Sequence, residues 1–348
     1  MTRVMHIIDA DRLAGGMEIF LSRLVPGLRD AGVEQLVVTR RHPELANFLT
    51  GSGIRTARLS LHKRDPASWL AVRWLAWRFR PDFIVSWLPH AARRVPNGPW
   101  LRVAQIGLYN SLRFYKRVDT MVVPAPDMAE HFAGLGFPAE HIHILPHFTD
   151  HVALPPIDRA SVNTPANVPV LLACGRLYHL KAFEVAVEVA ARLPDTWLWL
   201  VGEGEEEPKL CALAERLGIA DRVRFLGWRR DIPAVMAAAD VMLMTSRREP
   251  FGLVFLEAWH AGLPVVATAS EGARYLIRPG ETGMLGPIDD VETLTRLTAT
   301  VLTDPVTRAR IIAGGLERLT TEFTREATVA AYLRFFEQAR RHHTEGIR

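Results

Sequence analysis

Residues 171–186 of this 348-residue chain, LLACGRLYHLKAFEVA, run from an apolar strand through a glycine turn into a helical pattern. Arg176 and Lys181 stand five residues apart, just before the helix. Two cations beside a helix N-terminus suit a diphosphate, because a guanidinium fork, an ammonium and the helix dipole all attract negative charge. Taken alone, the pair is better explained as two solvated surface cations, because basic pairs are common.

The alternation of short apolar runs with longer amphipathic segments continues along the chain. It is typical of parallel sheets joined by crossover helices, so the sequence predicts an α/β protein with doubly wound sheets. Residues 151–169 carry four of the 23 prolines and few large apolar residues, which indicates a linker between two such domains. The predicted strands are Val4–Ile8, Gln35–Thr39, Phe83–Ser86, Arg102–Ile106, Thr120–Val123, Ile142–Leu145, Val170–Cys174, Trp197–Val201, Arg224–Leu226, Val241–Met244 and Pro264–Ala267.

Composition and charge narrow the class of protein. Hydrophobic residues make up 49% of the chain and charged residues 23%, which predicts a folded protein rather than a disordered one. The formal charge is +4, and the excess of Lys and Arg lies in residues 1–150, so the front half favours an anionic partner. Two cysteines, no zinc-ligand spacing and no long apolar run predict a cytoplasmic protein without a metal site or a membrane span.

A second stretch, SRREPFGLVFLEAWHAGLPVVAT at residues 246–268, adds two carboxylates. Glu249 precedes Pro250 at a helix start, and Glu257 follows about two turns later. Gly252 leaves backbone N–H groups open to an oxygen-rich ligand, and Glu257 points back toward the helix N-terminus, where it can accept hydrogen bonds from a ribose diol. A solvated helix is the alternative, but Glu257 stands among apolar residues, where a carboxylate needs a partner.

These motifs resemble the retaining glycosyltransferases of family 4, which have the GT-B fold of two Rossmann-like, doubly wound parallel-sheet domains facing across a cleft. In the back half, the resemblance covers most of residues 168–290. It rests there on GRL-x3-K (175–181), VGEG (201–204), FLG (225–227) and EPFGL-x3-E (249–257). In the front half, GGMEIF (15–20) and SWLPH (86–90) match the family's glycine pair and its cleft histidine.

The resemblance implies binding of a nucleotide-sugar donor, UDP- or GDP-linked. Arg176 and Lys181 would hold its diphosphate, Glu257 its ribose and Gly227 its base. The other residues implied in donor binding are Glu249, Phe251 and Gly252 at the transferred sugar and Gly15 and Gly16 near the phosphates.

The implied reaction moves the sugar, with retention at the anomeric carbon and without a metal or another cofactor. The acceptor would be a lipopolysaccharide, exopolysaccharide or lipid-linked glycan, and no nucleic-acid partner is expected. Arg176, Lys181 and Glu249 would act in catalysis together with His90, which would lie beside the reacting carbon and orient the donor sugar by a hydrogen bond. Residues 83–118 contain no acidic residue, which predicts an electropositive acceptor wall around His90.

The domains predicted on this basis are an N-terminal acceptor-binding domain, a C-terminal nucleotide-sugar-binding domain and a terminal helix that packs back toward the first domain. Their ranges are 1–160, 161–325 and 326–348. Two positions depart from the family pattern, because Ala182 stands where a glycine often follows the lysine and His147 where an asparagine is frequent.

Several alternatives remain at the level of the sequence. A sugar-nucleotide epimerase and a non-catalytic nucleotide-sugar-binding protein could use similar residues. Asp9 and Asp11 have the D-x-D spacing of metal-dependent glycosyltransferases, although they close the first strand, where that motif is unusual. Gly202 and Gly204 form a G-x-G, but no third glycine opens a helix as in a dinucleotide fingerprint.

The stretch at residues 62–81 interleaves three tryptophans with arginines. Such a composition suits an anionic membrane surface and would make the protein peripheral at the inner membrane. The favoured interpretation is a helix that covers the sheet with its aromatic residues packed inward and its arginines outward, because aromatic stripes usually pack.

Overall fold

The computed structural model describes residues 1–10, 15–41, 43–62, 65–150 and 152–345. The chain forms two compact units, each described below by itself: Met1–Asp150 with Thr324–Arg348, and His151–Phe323. The first boundary lies ten residues before the predicted position at 160. The reason is that Ile157 N donates to Ala234 O at 3.1 Å and Arg159 pairs with Asp240 at 2.8 Å, contacts that tie this segment to the second unit.

The first unit contains a parallel sheet of seven strands within the described residues, in the order β3-β2-β1-β4-β5-β6-β7. This order is that of a doubly wound sheet. The strands are β1 (Arg3–Ile8), β2 (Glu34–Arg40), β3 (Arg55–Leu59), β4 (Phe83–Trp87), β5 (Leu101–Gln105), β6 (Thr120–Val123) and β7 (Ile142–Ile144).

The second unit contains a parallel sheet of six strands among the residues described, in the order β10-β9-β8-β11-β12-β13. The prediction of two doubly wound α/β domains is therefore confirmed. The strands are β8 (Val170–Cys174), β9 (Trp197–Val201), β10 (Val223–Phe225), β11 (Val241–Met244), β12 (Val265–Thr268) and β13 (Met284–Gly286).

Helices connect the strands and cover the sheets. In the first unit they are α1 (Gly16–Asp30), α2 (Pro43–Gly51), α3 (Pro66–Phe79), α4 (Pro89–Ala92), α5 (Pro126–Gly134) and, at the chain end, α13 (Arg325–Glu345). In the second unit they are α6 (Phe183–Ala191), α7 (Glu207–Arg216), α8 (Ile232–Ala237), α9 (Leu253–His260), α10 (Glu271–Leu276), α11 (Val291–Thr303) and α12 (Pro305–Glu322). No helix among the described residues is long and apolar enough to cross a membrane.

Two strands, β3 and β13, lie outside the predicted set. Strand β3 has the sequence RTARL and none of its residues is buried, so it carries no apolar run that would mark it. Strand β13 has only three residues. Both lie at the edge of a sheet, where one side of the backbone has no neighbouring strand and little apolar surface is needed.

The terminal helix α13 belongs to the first unit. Tyr332 donates its hydroxyl hydrogen to Gln105 Oε1 on β5 at 2.7 Å, and the Phe336 ring packs on Phe83 with centroids 4.8 Å apart. Thr328 donates to the carbonyl of Pro146 at 3.3 Å. The chain thus returns after the second unit to complete the core of the first.

Helix α3 differs from the sequence interpretation in the direction of its tryptophans. Val72, Ala76 and Phe79 are buried against the sheet, so the helix does cover it. The tryptophans of this helix nevertheless lie on its outer side, together with the arginines. The buried face is formed at every third or fourth position by Ser68, Val72, Ala76 and Phe79, without the tryptophans. Residues 63 and 64 of the predicted stretch lie outside the described residues.

A buried histidine on β1 is held in its neutral form by the two neighbouring strands. His6 Nε2 lies 3.1 Å from Gln35 Oε1 on β2, and Trp87 Nε1 on β4 donates to His6 Nδ1 at 3.1 Å. Nδ1 accepts and Nε2 donates, which is a neutral tautomer. Burial lowers the pKa of His6 to about 4, against the opposing effect of the Gln35 hydrogen bond.

The loops after β8, β9 and β10 are joined by backbone hydrogen bonds. Gly175 N donates to Val201 O at 2.9 Å, and Gly202 N donates to Gly227 O at 2.8 Å. A Cβ on Gly202 would lie 1.9 Å from Gly175 O, and one on Gly204 would lie 2.1 Å from Leu177 O. The G-x-G of the sequence therefore allows two loops to pack backbone against backbone.

His6 predicts a fall in stability in acid. A histidine of the unfolded chain titrates near pH 6.5, so between pH 6.5 and about 4 the unfolded state binds more protons and the free energy of unfolding decreases as the pH falls. His6 should account for about 3 kcal/mol of this loss, measured by urea unfolding at a series of pH values. Buried His147, whose pKa burial lowers to about 3, acts in the same direction. We expect His6→Gln to make the dependence shallower, and an unchanged slope in this variant would contradict the assignment.

The close approach at Gly204 predicts a large effect of a single methyl group. Gly204→Ala should lower the free energy of unfolding by at least about 2 kcal/mol, because the carbonyl of Leu177 is backbone and cannot swing aside. Gly134→Ala on α5 is the matched control, since nothing lies within 4 Å of its added Cβ. Urea unfolding of both variants measures the difference, and equal stabilities would show that the loops accommodate a side chain.

Candidate active site

The functional residues predicted in the second unit follow the carboxyl ends of three strands of one sheet, β8, β10 and β11. Arg176 and Lys181 follow β8, Gly227 follows β10, and Glu249 and its neighbours lie between β11 and α9. In open parallel sheets this edge is where ligands bind. The fold thus brings together side chains that are up to 81 positions apart in the sequence.

An ion pair joins the two predicted motifs. The Lys181 ammonium donates a hydrogen bond to Glu249 Oε2, and both side chains are largely shielded from solvent. An ammonium has three N–H donors, so this contact leaves two for another anion. Arg176 is exposed and has neither a hydrogen bond nor an ion pair with any residue that the structure describes.

The loop that carries Lys181 is fixed by residues that the sequence analysis missed. Thr245 donates its hydroxyl hydrogen to Lys181 O at 3.0 Å, and Arg247 N donates to Leu180 O at 2.8 Å. The Arg247 guanidinium also donates to His179 O at 3.0 Å. The signal available in the sequence was the run SRRE, in which only Glu249 was assigned a role.

The Arg247 guanidinium is itself held by two carboxylates. Its nitrogens lie 2.7 Å from Glu184 Oε1 on α6 and 2.8 Å from Asp289 Oδ1. The hydrogen bond with Asp289 is the largest influence on Arg247 and raises its pKa. This arginine therefore stays charged and, through its hydrogen bonds, holds the loop of Lys181 in place.

Ala182 has a left-handed backbone, with φ 49° and ψ 45°. An L-residue in this region costs about 1–2 kcal/mol, which explains why a glycine suits the position after the lysine. Ala182 is fully buried and stands between Lys181 and the first residue of α6. The substitution at this family position thus leaves the turn in place but strains it.

Glu257 lies on α9 close to the end of β8. It is buried, as the apolar sequence around it suggested, and its charge reaches Cys174. The pKa of the Cys174 thiol is raised to about 12, mainly by burial and also by the charge of Glu257, whereas Lys181 acts in the opposite direction. The carboxylate and the ammonium therefore share one small region at the carboxyl end of β8.

The segment from Glu249 to Gly252 leads into the N-terminus of α9. Gly252 is the N-cap of α9 with φ 85°, a conformation that favours glycine, and no side chain caps the helix. Glu249 O accepts a hydrogen bond from Gly272 N at 2.7 Å, and Glu249 N donates to Glu271 Oε2 at 3.3 Å. Phe251 is buried. The N-terminal turn of α10 thus holds the segment in place.

At the position predicted for the base, Gly227 is followed by an exposed aromatic residue. Trp228 is 45% exposed, and the Arg230 guanidinium lies 5.3 Å from its ring centroid. Trp228 N donates to Glu203 Oε1 at 3.4 Å. Trp228 directly follows the FLG motif, and Glu203 lies within the VGEG motif. The sequence analysis considered both motifs only for their glycines.

In the first unit, the predicted glycine pair opens α1 after β1. Gly15 is the N-cap, Gly16 is the first helical residue, and Ile19 N donates to Gly15 O at 3.0 Å. Gly15 has no side chain that could cap the helix. A Cβ on Gly15 would lie 2.3 Å from Glu18 Oε2, so the carboxylate of Glu18, which the sequence analysis did not single out, folds back over the glycine.

His90 lies on the short helix α4, directly after β4 and therefore beside β1 in the sheet. Its ring meets the Phe114 ring edge-on, with centroids 5.9 Å apart. The guanidiniums of Arg93 and Arg113 lie 4.6 Å and 5.1 Å from the Phe114 centroid. Not all arginines of the predicted electropositive wall are available to a ligand, because Arg94 pairs with Asp9 and Arg102 with Asp119.

The D-x-D alternative is weakened by the partners of Asp9. Asp9 Oδ2 lies 2.7 Å from Arg94 Nη1, and Asp9 Oδ1 lies 3.4 Å from Arg40 Nε. The carboxylate is thus engaged by two guanidiniums of its own unit. Asp11 lies outside the described residues.

His147 is buried in the first unit, where it stacks on Phe20 with ring centroids 3.8 Å apart. Burial lowers its pKa, and the charge of Arg23 lowers it further. A neutral, stacked imidazole thus stands where the family often has an asparagine.

Two family profiles together match most of the chain. The profile described as Glycosyl transferases group 1 matches residues 156–318, and the profile described as Glycosyltransferase Family 4 matches residues 14–152. The two matches correspond to the second and first units of the structure.

Two relatives from Rhizobium meliloti (strain 1021) match nearly end to end. The lipopolysaccharide core biosynthesis glycosyltransferase LpsE is 37% identical, over 92% of this chain and 95% of its own length. The lipopolysaccharide core biosynthesis glycosyltransferase LpsD is 32% identical, over 97% and 98%.

Solved structures share the fold at lower identity. Anabaena HepE, determined in complex with UDP and glucose, superimposes with a TM-score of 0.82 at 20% identity, covering 97% of this chain and all of that one. WaaG, a glycosyltransferase involved in lipopolysaccharide biosynthesis, gives 0.71 at 19% identity, covering 96% and 99%. The profiles, the relatives and the architecture agree with the resemblance inferred from the motifs, and this chain belongs to the family 4 glycosyltransferases with the GT-B fold.

Proposed function

We propose that this chain transfers a sugar from a nucleoside-diphosphate donor to a lipopolysaccharide core acceptor, with the anomeric configuration retained and without a metal. The observation that carries the proposal is the arrangement after β8 and β11, where Glu249 holds the ammonium of Lys181 and Arg176 stands exposed in the same loop. This arrangement offers fixed positive charge to a leaving group whose negative charge grows as the glycosidic bond breaks.

Lys181 and Arg176 would stabilise the departing diphosphate. Such cations lower the barrier when they interact more strongly with the transition state than with the ground state, and when they are positioned before the reaction begins. Thr245 and Arg247 fix the carbonyls of Lys181 and Leu180, and Glu249 holds the ammonium, so the charge does not have to be ordered by the substrate. Fixed cations can take the role that a divalent metal has in other glycosyltransferases.

The rest of the donor would extend across the same edge of the sheet. Glu257 would accept hydrogen bonds from the ribose, and the base would lie at Gly227 and Trp228. The transferred sugar would contact Glu249 and the amides of Phe251 and Gly252. The crystallised complexes of Anabaena HepE contain UDP, UDP and glucose, or UDP-glucose, which supports a nucleotide sugar as the donor class here.

Retention would follow from attack on the face that the diphosphate leaves. The reacting carbon becomes oxocarbenium-like, and an oxygen of the leaving phosphate helps to remove the proton of the acceptor hydroxyl. The carboxylate of Glu249 is engaged with Lys181, which favours a positioning role over one as a covalent nucleophile. His90 would orient the donor sugar, and Gly15 and Gly16 would present backbone N–H groups near the phosphates.

The acceptor is proposed from the relatives. Both Rhizobium proteins are named for lipopolysaccharide core biosynthesis, and this chain covers almost all of their length. The arginines stacked on Phe114 beside His90 would suit an acceptor that carries negative charge.

Acceptor-dependent release of nucleoside diphosphate tests the function and the two cations together. We expect turnover with UDP- or GDP-sugars and truncated lipopolysaccharide core. An epimerase would convert the donor without an acceptor, and a binding protein would release nothing. Arg176→Ala and Lys181→Ala should each lower turnover by roughly 10²–10³-fold, as for a lost oxyanion donor.

Lys209→Ala on α7 is the control for these variants, because Lys209 is exposed and pairs with Glu206, the N-cap residue of the same helix. Circular dichroism would establish that the variants are folded. Near wild-type rates in both Arg176→Ala and Lys181→Ala would refute the assignment of the diphosphate site.

Metal independence gives a separate prediction. Prior incubation with EDTA should leave the rate of nucleoside diphosphate release unchanged, because the charge on the leaving group is met by side chains. The measurement is the same acceptor-dependent assay, run on untreated protein and on protein that was incubated with EDTA and then freed of the chelator. Loss of activity that Mn²⁺ restores would instead support the D-x-D interpretation.

A further inference from the structure

The outer side of helix α3 exposes an unusual amount of indole surface. Trp69, Trp74 and Trp77 are 38%, 63% and 50% exposed, and Leu70 between them is 59% exposed. We call these four residues, with the arginines that flank them, the α3 face. An aromatic side chain buries about 150–250 Å² when it is fully covered, so the three indoles alone leave roughly 300 Å² open to solvent. The largest apolar patch on a typical soluble monomer is of this order and is often functional.

The exposure is not a by-product of poor packing. The inner side of the same helix is complete, with Val72, Ala76 and Phe79 buried in the core of the first unit. Asp65 caps the helix by accepting from Ser68 N, so the element is well formed. A helix that needed only to cover the sheet would gain nothing from large apolar side chains on its solvent side.

The charges of the α3 face are all positive. Arg73 and Arg78 are exposed on the same side as the tryptophans, and the Arg73 guanidinium lies 5.9 Å from the Trp69 ring centroid. The helix contains no acidic residue between 66 and 79. Aromatic side chains beside arginines suit the boundary between lipid head groups and acyl chains, where an indole is amphipathic and an arginine meets anionic lipid.

We propose that the α3 face binds the surface of an anionic lipid bilayer. The helix would lie in the plane of the membrane, with Trp69, Leu70 and Trp74 inserted at the level of the head groups and Arg73 and Arg78 on lipid phosphates. A second copy of the chain is a poorer occupant, because a two-fold contact would place the α3 face against itself and bring arginine toward arginine. An acidic bilayer complements both the apolar and the charged part of the face.

Vesicle binding by the full-length chain tests this proposal without any sugar transfer, so its outcome is independent of the proposed function. Sedimentation with vesicles of phosphatidylcholine, with and without phosphatidylglycerol, measures the partition coefficient. We expect binding to the anionic vesicles that weakens with added salt and a blue shift of the tryptophan fluorescence. Arg73→Gln combined with Arg78→Gln should weaken this binding by about thirtyfold, as expected for two surface cations on anionic lipid.

The apolar part is tested by Trp69→Gln combined with Trp74→Gln, which should lower the partition coefficient by at least about tenfold. Val306→Gln combined with Leu316→Gln on α12 is the matched control, because these apolar residues are just as exposed but lie outside the α3 face. Thermal unfolding of every variant establishes that it is folded. The proposal is overturned if the wild type does not bind anionic vesicles, if both double variants on α3 bind like the wild type, or if the tryptophan variant only abolishes self-association seen by ultracentrifugation.

Discussion

The ion pair between Lys181 and Glu249 is the contact on which the candidate site depends. It connects the loop after β8 with the segment before α9, two parts of the chain separated by 68 residues. Without the carboxylate, the ammonium would have four flexible methylene groups and no fixed position. With it, a point charge is held at the carboxyl end of the sheet, and donors of the same ammonium remain for a ligand. The backbone contacts of Thr245 and Arg247 hold the loop, and the ion pair holds the charge.

The loops at this edge of the sheet contain strained and closely packed backbone. Ala182 adopts a left-handed conformation that glycine would adopt more easily. At Gly202 and Gly204, a carbonyl group of another loop lies so close that a Cβ would not fit. Strained or tightly packed backbone persists where the surroundings determine it strongly. Here the surroundings are the parallel strands, whose loops must pack side by side, and the candidate site is held by contacts within the second unit.

The two units divide the remaining features of the chain. Donor-binding candidates concentrate in the second, whereas His90, the stacked arginines at Phe114 and the α3 face belong to the first. Family profiles split at the same place. A front half with an excess of positive charge and exposed tryptophans fits a protein whose acceptor and surroundings are anionic.

The sequence by itself determined the fold class, most of the strands, and the identity of the donor-site candidates, because these rest on local periodicity and on spaced motifs that each occupy a short stretch. It also led to the right family. Edge strands such as β3 were missed, since half-exposed strands carry no apolar run. Only the tertiary structure decided that Lys181 and Glu249 pair, that Arg247 braces the loop, and that the tryptophans of α3 face outward. Those outcomes depend on which elements become neighbours and on which side of a helix packs into the core. No local stretch of the sequence determines either of them.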